Sequence, residues 1–385
     1  MTSGLFASAC FLMIASYLLY PALIMLCARF KKARPETINT TGQASASLAV
    51  IIAAHNEAGV IEHKLNNLEQ LIPEGISEIW IGSDCSTDAT NAILTRWTSR
   101  MPALKVVFYE TRQGKIKIIN DLVPRCHSDL IILTDANVIF PMQSIRKLCA
   151  VQNQTQWDLI GVPVHRRSLR GVKGIAQQES NYIHFENLLK QAEHCCFGMY
   201  LGAEGSCILM RKSAFCSIPE TYKVDDFFIT LQAIASGKKI GYEANVQVEE
   251  DNPGDAKAEF RRKARISSGN FQNLMHFKRV LCNPFSRLFY IFWLHKGIRW
   301  TGPLWLTWMW MASFIERNNP YFYLAFCIQT LFIMLAIASY FYRLPLKPLR
   351  SFAHFYLMNG ALAYGFYLFL KPTTTSYWNP ISRDV

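Results

Sequence analysis

The chain has 385 residues, a formal net charge of +12, 51% hydrophobic residues and 13% aromatic residues. This hydrophobic share exceeds what an ordinary soluble domain needs, and the length allows one substantial domain plus further segments. The 11 cysteines form no CxxC pair, which argues against a zinc site or a disulfide framework, and no nucleic-acid recognition module accompanies the positive charge.

Four apolar segments are predicted to be transmembrane helices. The first, residues 5–28, contains no charged residue and can cross a hydrocarbon core of about 30 Å. Because basic residues follow it instead of a small-residue cleavage pattern, we interpret it as a retained anchor and not as a cleaved signal. An aromatic-rich interfacial helix is predicted at 284–298. The three remaining spans are predicted at 299–316, 321–342 and 351–370.

The basic residues beside these segments indicate an orientation. They form three clusters: Lys31, Lys32 and Arg34; Arg287, Lys296 and Arg299; and Arg343, Lys347 and Arg350. All three fall on one side of a four-span topology, and this side is cytoplasmic by the positive-inside rule. We therefore expect a multi-pass protein of the cell (inner) membrane, in contact with membrane lipid, with a cytoplasmic domain at residues 45–280.

The middle of the chain alternates between strand and helix patterns. The run 47–54 is continuously apolar, as in a strand buried on both faces. Strands are predicted at 47–54, 78–82, 104–109 and 130–134, with helices near 60–71, 89–100, 115–122 and 142–151. This alternation predicts an α/β domain with a mostly parallel sheet and helices on both faces. The absence of GxGxxG or GxxxxGK[ST] after a strand disfavours a dinucleotide oxidoreductase or a P-loop NTPase.

Polar residues follow three of the predicted strands. They are His55, Asn56 and Glu57 after the first, Asp84 after the second, and the pair Asp135 and Asn137 after the fourth. Such residues are often only helix caps or turn formers. Ligands bind parallel sheets at the carboxyl ends of the strands, however, and three clusters at three strand ends favour a binding site.

The segments Val50–Glu57 and Ser83–Asp88 resemble the first two motifs of the family 2 glycosyltransferases, the GT-A-fold group that contains cellulose, chitin and hyaluronan synthases. The resemblance covers about residues 47–271. It implies that His55, Asn56 and Glu57 line the nucleotide of a sugar donor and that Asp84 contacts its base. In Arg112-Gln-Gly-Lys115, it implies that Lys115 lies near the donor.

Thr134-Asp-Ala-Asn137 occupies the position of the family's DxD motif. A sugar diphosphate is a poor leaving group unless a divalent cation neutralises it, and oxygen ligands on alternating residues can hold Mg²⁺ or Mn²⁺. The resemblance implies that Asp135 binds the metal and the donor. Asn137 offers an uncharged amide oxygen. Two alternatives stay open: Asn137 binds the metal directly, or it lies near the metal without binding it.

Val224-Asp-Asp226 is similar to the family's Glu-Asp motif, whose second acid is the general base. The resemblance implies that Asp226 takes the acceptor proton, with Asp225 as its supporting neighbour. The alternative is that Asp226 caps a helix over 227–235. The resemblance also places Glu204 and Gly205 on the acceptor side.

The synthases' Gln-x-x-Arg-Trp motif is altered in Arg262-Lys-Ala-Arg-Ile266. Arg262 and Arg265 are expected to clamp the diphosphate, although a basic run can also be a solvated helix face. Ile266 replaces the aromatic ring that supports a growing polymer in the synthases, so extension to a long polymer is not expected.

The sequence thus predicts an inverting membrane glycosyltransferase that moves a sugar from a nucleoside diphosphate donor, UDP-linked by preference, to a glycan or lipid-linked acceptor in polysaccharide biosynthesis. A separate flippase or export protein is an expected partner. One alternative is a processive polysaccharide synthase that also secretes its polymer. The other is a catalytically silent membrane scaffold, which would not need Asp84, Asp135 and Asp226 together.

Overall fold

The structure is a computed structural model that describes residues 2–31, 46–167, 175–251, 256–342 and 347–371. The chain forms two compact units. Within the described residues, we call one the helical unit, residues 2–27, 175–179, 256–342 and 347–371, and the other the sheet unit, residues 28–31, 46–167 and 180–251.

The sheet unit is built on a seven-stranded sheet in the order β3-β2-β1-β4-β8-β6-β9 and a smaller sheet in the order β5-β10-β7. The strands are β1 Leu48–Ala54, β2 Ile76–Asp84, β3 Leu104–Tyr109, β4 Leu130–Leu133, β5 Val138–Ile139, β6 Leu159–Gly161, β7 Val164–Arg167, β8 Ile208–Arg211, β9 Ile240–Tyr242 and β10 Val248–Asp251. β1 to β4 pair in parallel, and β8 runs antiparallel to both β4 and β6. The predicted α/β class with a mostly parallel sheet is confirmed.

The helices fall between the strands and at both ends of the chain. They are α1 Thr2–Ile14, α2 Tyr20–Phe30, α3 Ala58–Leu71, α4 Thr90–Arg100, α5 Lys115–Arg125, α6 Ser144–Thr155, α7 Ile175–Phe197, α8 Asp225–Ala235, α9 Ala256–His276, α10 Lys278–Leu281, α11 Arg287–Phe292, α12 Ile298–Trp300, α13 Gly302–Ile315, α14 Pro320–Phe341 and α15 Lys347–Leu370. The predicted strands and helices of the sheet unit are confirmed, with ends that differ by a few residues.

The position of β1 explains its composition. It lies between β2 and β4, and every residue of Leu48–Ala54 is buried, so both of its faces need apolar side chains. Helix α5 approaches β2 closely at Gly82, where an added Cβ would lie 2.4 Å from Cγ2 of Ile118. The missing side chain at Gly82 therefore lets α5 pack directly on the sheet.

In the helical unit, α9 packs along α15. The rings of Phe271 and Phe366 lie 4.8 Å apart, and the Ser267 hydroxyl donates to the Leu362 carbonyl at 2.9 Å. Gly365 permits this approach, because a Cβ there would lie 2.4 Å from Cβ of Ser267. The segment predicted as a span at 351–370 is thus a helix with one face packed against another helix.

Two helical segments in the described part of the chain are long and apolar enough to cross a membrane, Thr2–Phe30 and Pro320–Ser339. They coincide with the predicted spans 5–28 and 321–342. The prediction of four spans is not confirmed. The segment 299–316 is interrupted at Thr301, and the helix that follows has only 14 residues, or about 21 Å at 1.5 Å per residue, against the hydrocarbon thickness of about 30 Å.

The predicted interfacial helix at 284–298 also has different bounds. α11 begins at Arg287 and continues through a π-helical turn, Trp293–Gly297, into α12. Of the basic clusters used for orientation, Lys32, Arg34 and Arg343 lie outside the described residues.

Candidate active site

The carboxyl ends of β1 and β2 bring two predicted clusters together. The His55 ring Nδ1 lies 2.7 Å from the Asp84 carbonyl oxygen, and Arg112 Nη1 lies 2.6 Å from the other ring nitrogen, Nε2. Because a guanidinium can only donate, Nε2 accepts and Nδ1 carries the proton that is donated to Asp84. These two contacts define the tautomer of the His55 ring and hold it between two loops.

Asp84 is fully buried and organises the loop that precedes α5. Its carboxylate accepts hydrogen bonds from the Gln113 backbone N–H at 2.6 Å, the Gly114 N–H at 3.1 Å and Arg112 Nε at 3.2 Å. Gly114 has a φ of 85°, a conformation that favours glycine. Both Asp84 oxygens are thus engaged by the chain itself, and Asp84 fixes the point at which Lys115 enters the site.

Asn56 and Glu57 join the loop after β1 to the loop after β2. The Asn56 side-chain oxygen accepts from the Thr87 N–H at 2.8 Å, and its backbone has a φ of 52°, which asparagine tolerates better than most residues. The Glu57 N–H donates to the Thr90 hydroxyl at 2.9 Å, and its side chain is buried. The two loops therefore form one platform at this edge of the sheet.

Lys115, the first residue of α5, connects two acids from distant parts of the chain. Its Nζ lies 2.8 Å from Oδ1 of Asp135 and 3.1 Å from Oδ2 of Asp225. Burial lowers the pKa of Lys115, but the charges of Asp135 and Asp225 more than offset this and hold its pKa above the ordinary value. The ammonium group therefore stays charged between the turn after β4, which carries Asp135, and helix α8.

Asp226 is held by backbone groups and makes no ion pair within the described residues. Its Oδ2 accepts from the Gly205 N–H at 3.0 Å and its Oδ1 from the Phe227 N–H at 2.6 Å. Burial, followed by the charges of Asp225 and Glu204, raises its pKa to about 7 against the opposing effect of Lys115. A carboxylate with a pKa near neutrality is suited to accept a proton at physiological pH.

The start of α8 corrects one prediction. The helix begins at Asp225 and not at residue 227, and its N-cap is Val224, whose side chain makes no capping hydrogen bond. Both acids therefore lie in the first turn, where the helix dipole favours negative charge. The alternative role of Asp226 as the N-cap is wrong.

Glu204 has a partner that the sequence did not indicate. It forms an ion pair with Lys190 of α7, whose side chain is almost fully buried. The next residue, Gly205, has little room for a side chain, because a Cβ would lie 3.0 Å from Oδ2 of Asp226. The structure thus brings Glu204, Gly205 and Asp226 together, as expected, and adds Lys190. No sequence motif marks Lys190. The one signal in the sequence is that a lysine occupies a position on the buried face of a helix.

The turn after β4 offers a small set of metal donors. Asp135 is the more accessible of the two residues predicted as metal ligands, with 37% of its side chain exposed, whereas Asn137 is buried. No group of three His, Cys, Asp or Glu residues suited to a metal occurs within the described ranges. Mg²⁺ is commonly held by one or two carboxylates plus substrate phosphates, so these residues fit a cation that takes most of its ligands from a diphosphate.

A buried lysine supports this turn. Nζ of Lys64, a fully buried residue, donates to the Val138 carbonyl at 2.6 Å, and the Thr134 hydroxyl donates to the Ser206 carbonyl at 2.7 Å. Arg262 and Arg265, in contrast, lie on α9 in the helical unit, where Arg262 pairs with Glu259 at 3.2 Å. Their predicted contact with a diphosphate stays a prediction.

Comparisons with known proteins show what the chain is similar to. Residues 49–217 match the family model for glycosyl transferase family 2. A β-monoglucosyldiacylglycerol synthase of Synechocystis sp. is 25% identical over 280 residues, which cover 68% of this chain and 57% of that protein. A β-monoglucosyldiacylglycerol synthase of Nostoc sp. is 31% identical over 117 residues, 27% of this chain and 25% of that protein. The chain thus matches little more than half the length of the first of these relatives.

The fold is also found among solved structures. The mannosyltransferase PcManGT from Pyrobaculum calidifontis, in complex with GDP-Man and Mn²⁺, superposes with a TM-score of 0.68 over 95% of this chain and 99% of that chain, at 18% identity. At this identity the likeness concerns the fold alone. The chain therefore has a GT-A-like fold, and residues 49–217 of it are similar to glycosyl transferase family 2.

Proposed function

We propose that this protein is a glycosyltransferase that transfers one sugar from a nucleoside diphosphate sugar to the hydroxyl group of a membrane lipid or lipid-linked acceptor, with inversion at the sugar. The observation that carries the proposal is the position of Asp226, a buried carboxylate beside the Glu204–Gly205 loop with a pKa of about 7. The names of the relatives, which describe glycolipid synthases, support a lipid acceptor.

In the proposed reaction, Asp226 removes the proton of the acceptor hydroxyl as its oxygen attacks the anomeric carbon of the donor. The bond between that carbon and the diphosphate oxygen breaks, and the nucleoside diphosphate leaves from the opposite face. The Gly205 and Phe227 N–H groups orient the carboxylate for this step. Asp225, which is paired with Lys115, supports the base without accepting the proton.

The donor is proposed to bind along the platform of the two loops, with His55, Asn56, Glu57 and Asp84 shaping the nucleotide site. Lys115 then faces the diphosphate. A divalent cation, Mg²⁺ or Mn²⁺, bound by Asp135 and by Asn137 would neutralise the charge that develops on the leaving group. Arg262 and Arg265 are proposed as further diphosphate contacts.

The membrane arrangement is a proposal as well. Helix α14 exposes large apolar side chains along its length, including Leu324, Leu331 and Met334, each more than half exposed. Such a surface is suited to lipid. We propose the multi-pass arrangement predicted from the sequence, with spans at 5–28, 299–316, 321–342 and 351–370, the interfacial segment 284–298, and the catalytic domain 45–280 on the cytoplasmic side. A glycolipid made there would need a separate flippase to reach the other leaflet.

The test is transfer by purified protein in lipid nanodiscs, with UDP- and GDP-linked sugars offered as donors and diacylglycerol or a lipid-linked glycan as acceptor. We expect nucleoside diphosphate release that depends on the lipid acceptor and a product one sugar, or a few sugars, longer. A ladder of long polymer would favour a processive polysaccharide synthase. No release from any donor would favour a catalytically silent scaffold.

A further inference from the structure

Lys190 lies in an unusual place for a lysine. It belongs to α7, and only 3% of the residue is exposed. Burial lowers its pKa, but the charges of Glu204, Glu186 and Asp226 more than offset this and raise its pKa above the ordinary value. Removing an ammonium group from water costs free energy unless a partner compensates, and here the compensating partner is the carboxylate of Glu204.

Gly205 connects the ion pair between Lys190 and Glu204 to the proposed base, Asp226. Glu204 precedes Gly205, and the Gly205 N–H donates to Oδ2 of Asp226 at 3.0 Å. A shift of the Glu204 backbone therefore moves a hydrogen-bond donor of the base. The carboxylate lies close to Gly205 on the side-chain face as well, since a Cβ added there would be 3.0 Å from Oδ2 of Asp226.

The pair also balances charge around Asp226. The charged groups that act on this carboxylate are Asp225 of its own helix, Glu204 of the loop, Lys115 of α5 and Lys190 of α7. Lys115 pairs with Asp225, and Lys190 pairs with Glu204. Loss of Lys190 would remove one positive charge from the surroundings of Glu204 and Asp226.

We propose that Lys190 is a positioning residue for the general base: its ion pair with Glu204 holds the Gly205 N–H on Asp226 and places a positive charge beside the acidic groups of this loop. The inference rests on the proposed role of Asp226 in glycosyl transfer. By this inference, helix α7 contributes to the reaction by orienting the base, although no sequence motif connects this helix to catalysis.

The experiment compares the pH dependence of kcat/KM for transfer in Lys190→Met, Glu204→Gln and the double variant. Loss of Lys190 leaves an extra negative charge, so the pKa of Asp226 rises and the acidic limb of the profile moves to higher pH, by about one unit. Loss of the Glu204 charge moves the limb to lower pH. The double variant removes both charges and returns the limb towards the wild-type position.

A matched control is Lys105→Met. Lys105 pairs with Glu78 at 2.8 Å in the same unit, near the start of β2 and away from its carboxyl end. We expect this variant to keep the wild-type pH profile. Thermal unfolding of each variant shows whether it is folded. If Lys190→Met does not fold, the shift of the limb to lower pH in Glu204→Gln and its return towards the wild-type position in the double variant decide.

Two results separate the inference from the proposed function. If wild type transfers sugar, Asp226→Asn does not, and the acidic limb stays in place in Lys190→Met and Glu204→Gln, Lys190 is only structural and the inference is wrong. If Asp226→Asn transfers sugar normally, the proposed base itself is wrong. Opposite limb shifts in the two single variants, with recovery in the double variant, support the inference.

Discussion

Nζ of Lys115 lies 2.8 Å from Oδ1 of Asp135, so the first residue of α5 and the acid of the proposed metal turn form one ion pair. The same ammonium group lies 3.1 Å from Asp225, in the first turn of α8. The charge of Lys115 therefore contacts both parts of the proposed site. One part is the turn beside which the diphosphate is proposed to bind, and the other is the helix that carries the proposed base.

Lys115→Met should lower kcat/KM by about 100-fold or more, because it removes both links and a positive charge beside the proposed diphosphate. Steady-state transfer kinetics measure this. Lys117→Met is the matched control, since Lys117 lies on the same helix with an exposed side chain. Near-normal kinetics in Lys115→Met would show that the contacts of Lys115 with Asp135 and Asp225 do not matter for transfer.

The pH profile of the wild-type enzyme should show an acidic limb near neutrality. Asp226 accepts a proton only when ionised, and burial, Asp225 and Glu204 raise its pKa to about 7. We therefore expect kcat/KM to fall as the pH is lowered through about 7, since this profile reports the free enzyme. A profile that stays flat down to pH 5 would show that Asp226 is not the group that titrates.

Removal of the divalent cation should abolish transfer. Excess EDTA should inactivate the enzyme, and Mn²⁺ should restore it. Asp135→Ala should lose both activity and Mn²⁺ binding, the latter followed by electron paramagnetic resonance in the presence of nucleoside diphosphate. Asn137→Asp should be tolerated, because it adds charge to the same ligand position. Full activity in excess EDTA would rule out the metal-dependent mechanism.

The topology can be tested with reporter fusions. Fusions after Pro35 and after Leu346 should report the cytoplasm, and fusions after Asn318 and at the C-terminus the opposite side, if all four proposed segments cross the membrane. A cytoplasmic reporter at the C-terminus would show that the number of crossings is odd. The 14-residue helix α13 would then be the first segment to reassign.

The sequence predicted the sheet unit well for a physical reason. A buried parallel strand such as β1 needs a continuous apolar run, and polar residues directly after such strands must meet at one edge of the sheet. The neighbouring positions of His55 and Asp84 followed from this rule. The start of α8 could not be predicted in this way, because Val224 lacks the polar side chain that usually marks an N-cap. Buried residues such as Phe227 and Phe228 anchor the start of this helix instead.

The remaining features depend on contacts between residues that no local pattern connects. Arg112 approaches His55 across 57 positions, and Lys190 of α7 pairs with Glu204 across 14 positions, beyond the end of that helix at Phe197. Apolar composition likewise does not say whether a helix faces lipid or protein. Residues 351–370 read as a span, yet α15 packs against α9 through Phe366 and Gly365.

The most direct test of the central claim compares donor binding and sugar transfer in wild type, Asp226→Asn and Asp225→Asn, all in nanodiscs with the same lipid acceptor. Asp226→Asn keeps a side-chain oxygen for the Gly205 N–H but cannot take a proton. We predict unchanged donor affinity and a fall in transfer of about 100-fold or more for Asp226→Asn, with a smaller loss for Asp225→Asn. Normal transfer by Asp226→Asn, together with its loss in Asp225→Asn, would contradict the assignment of the base.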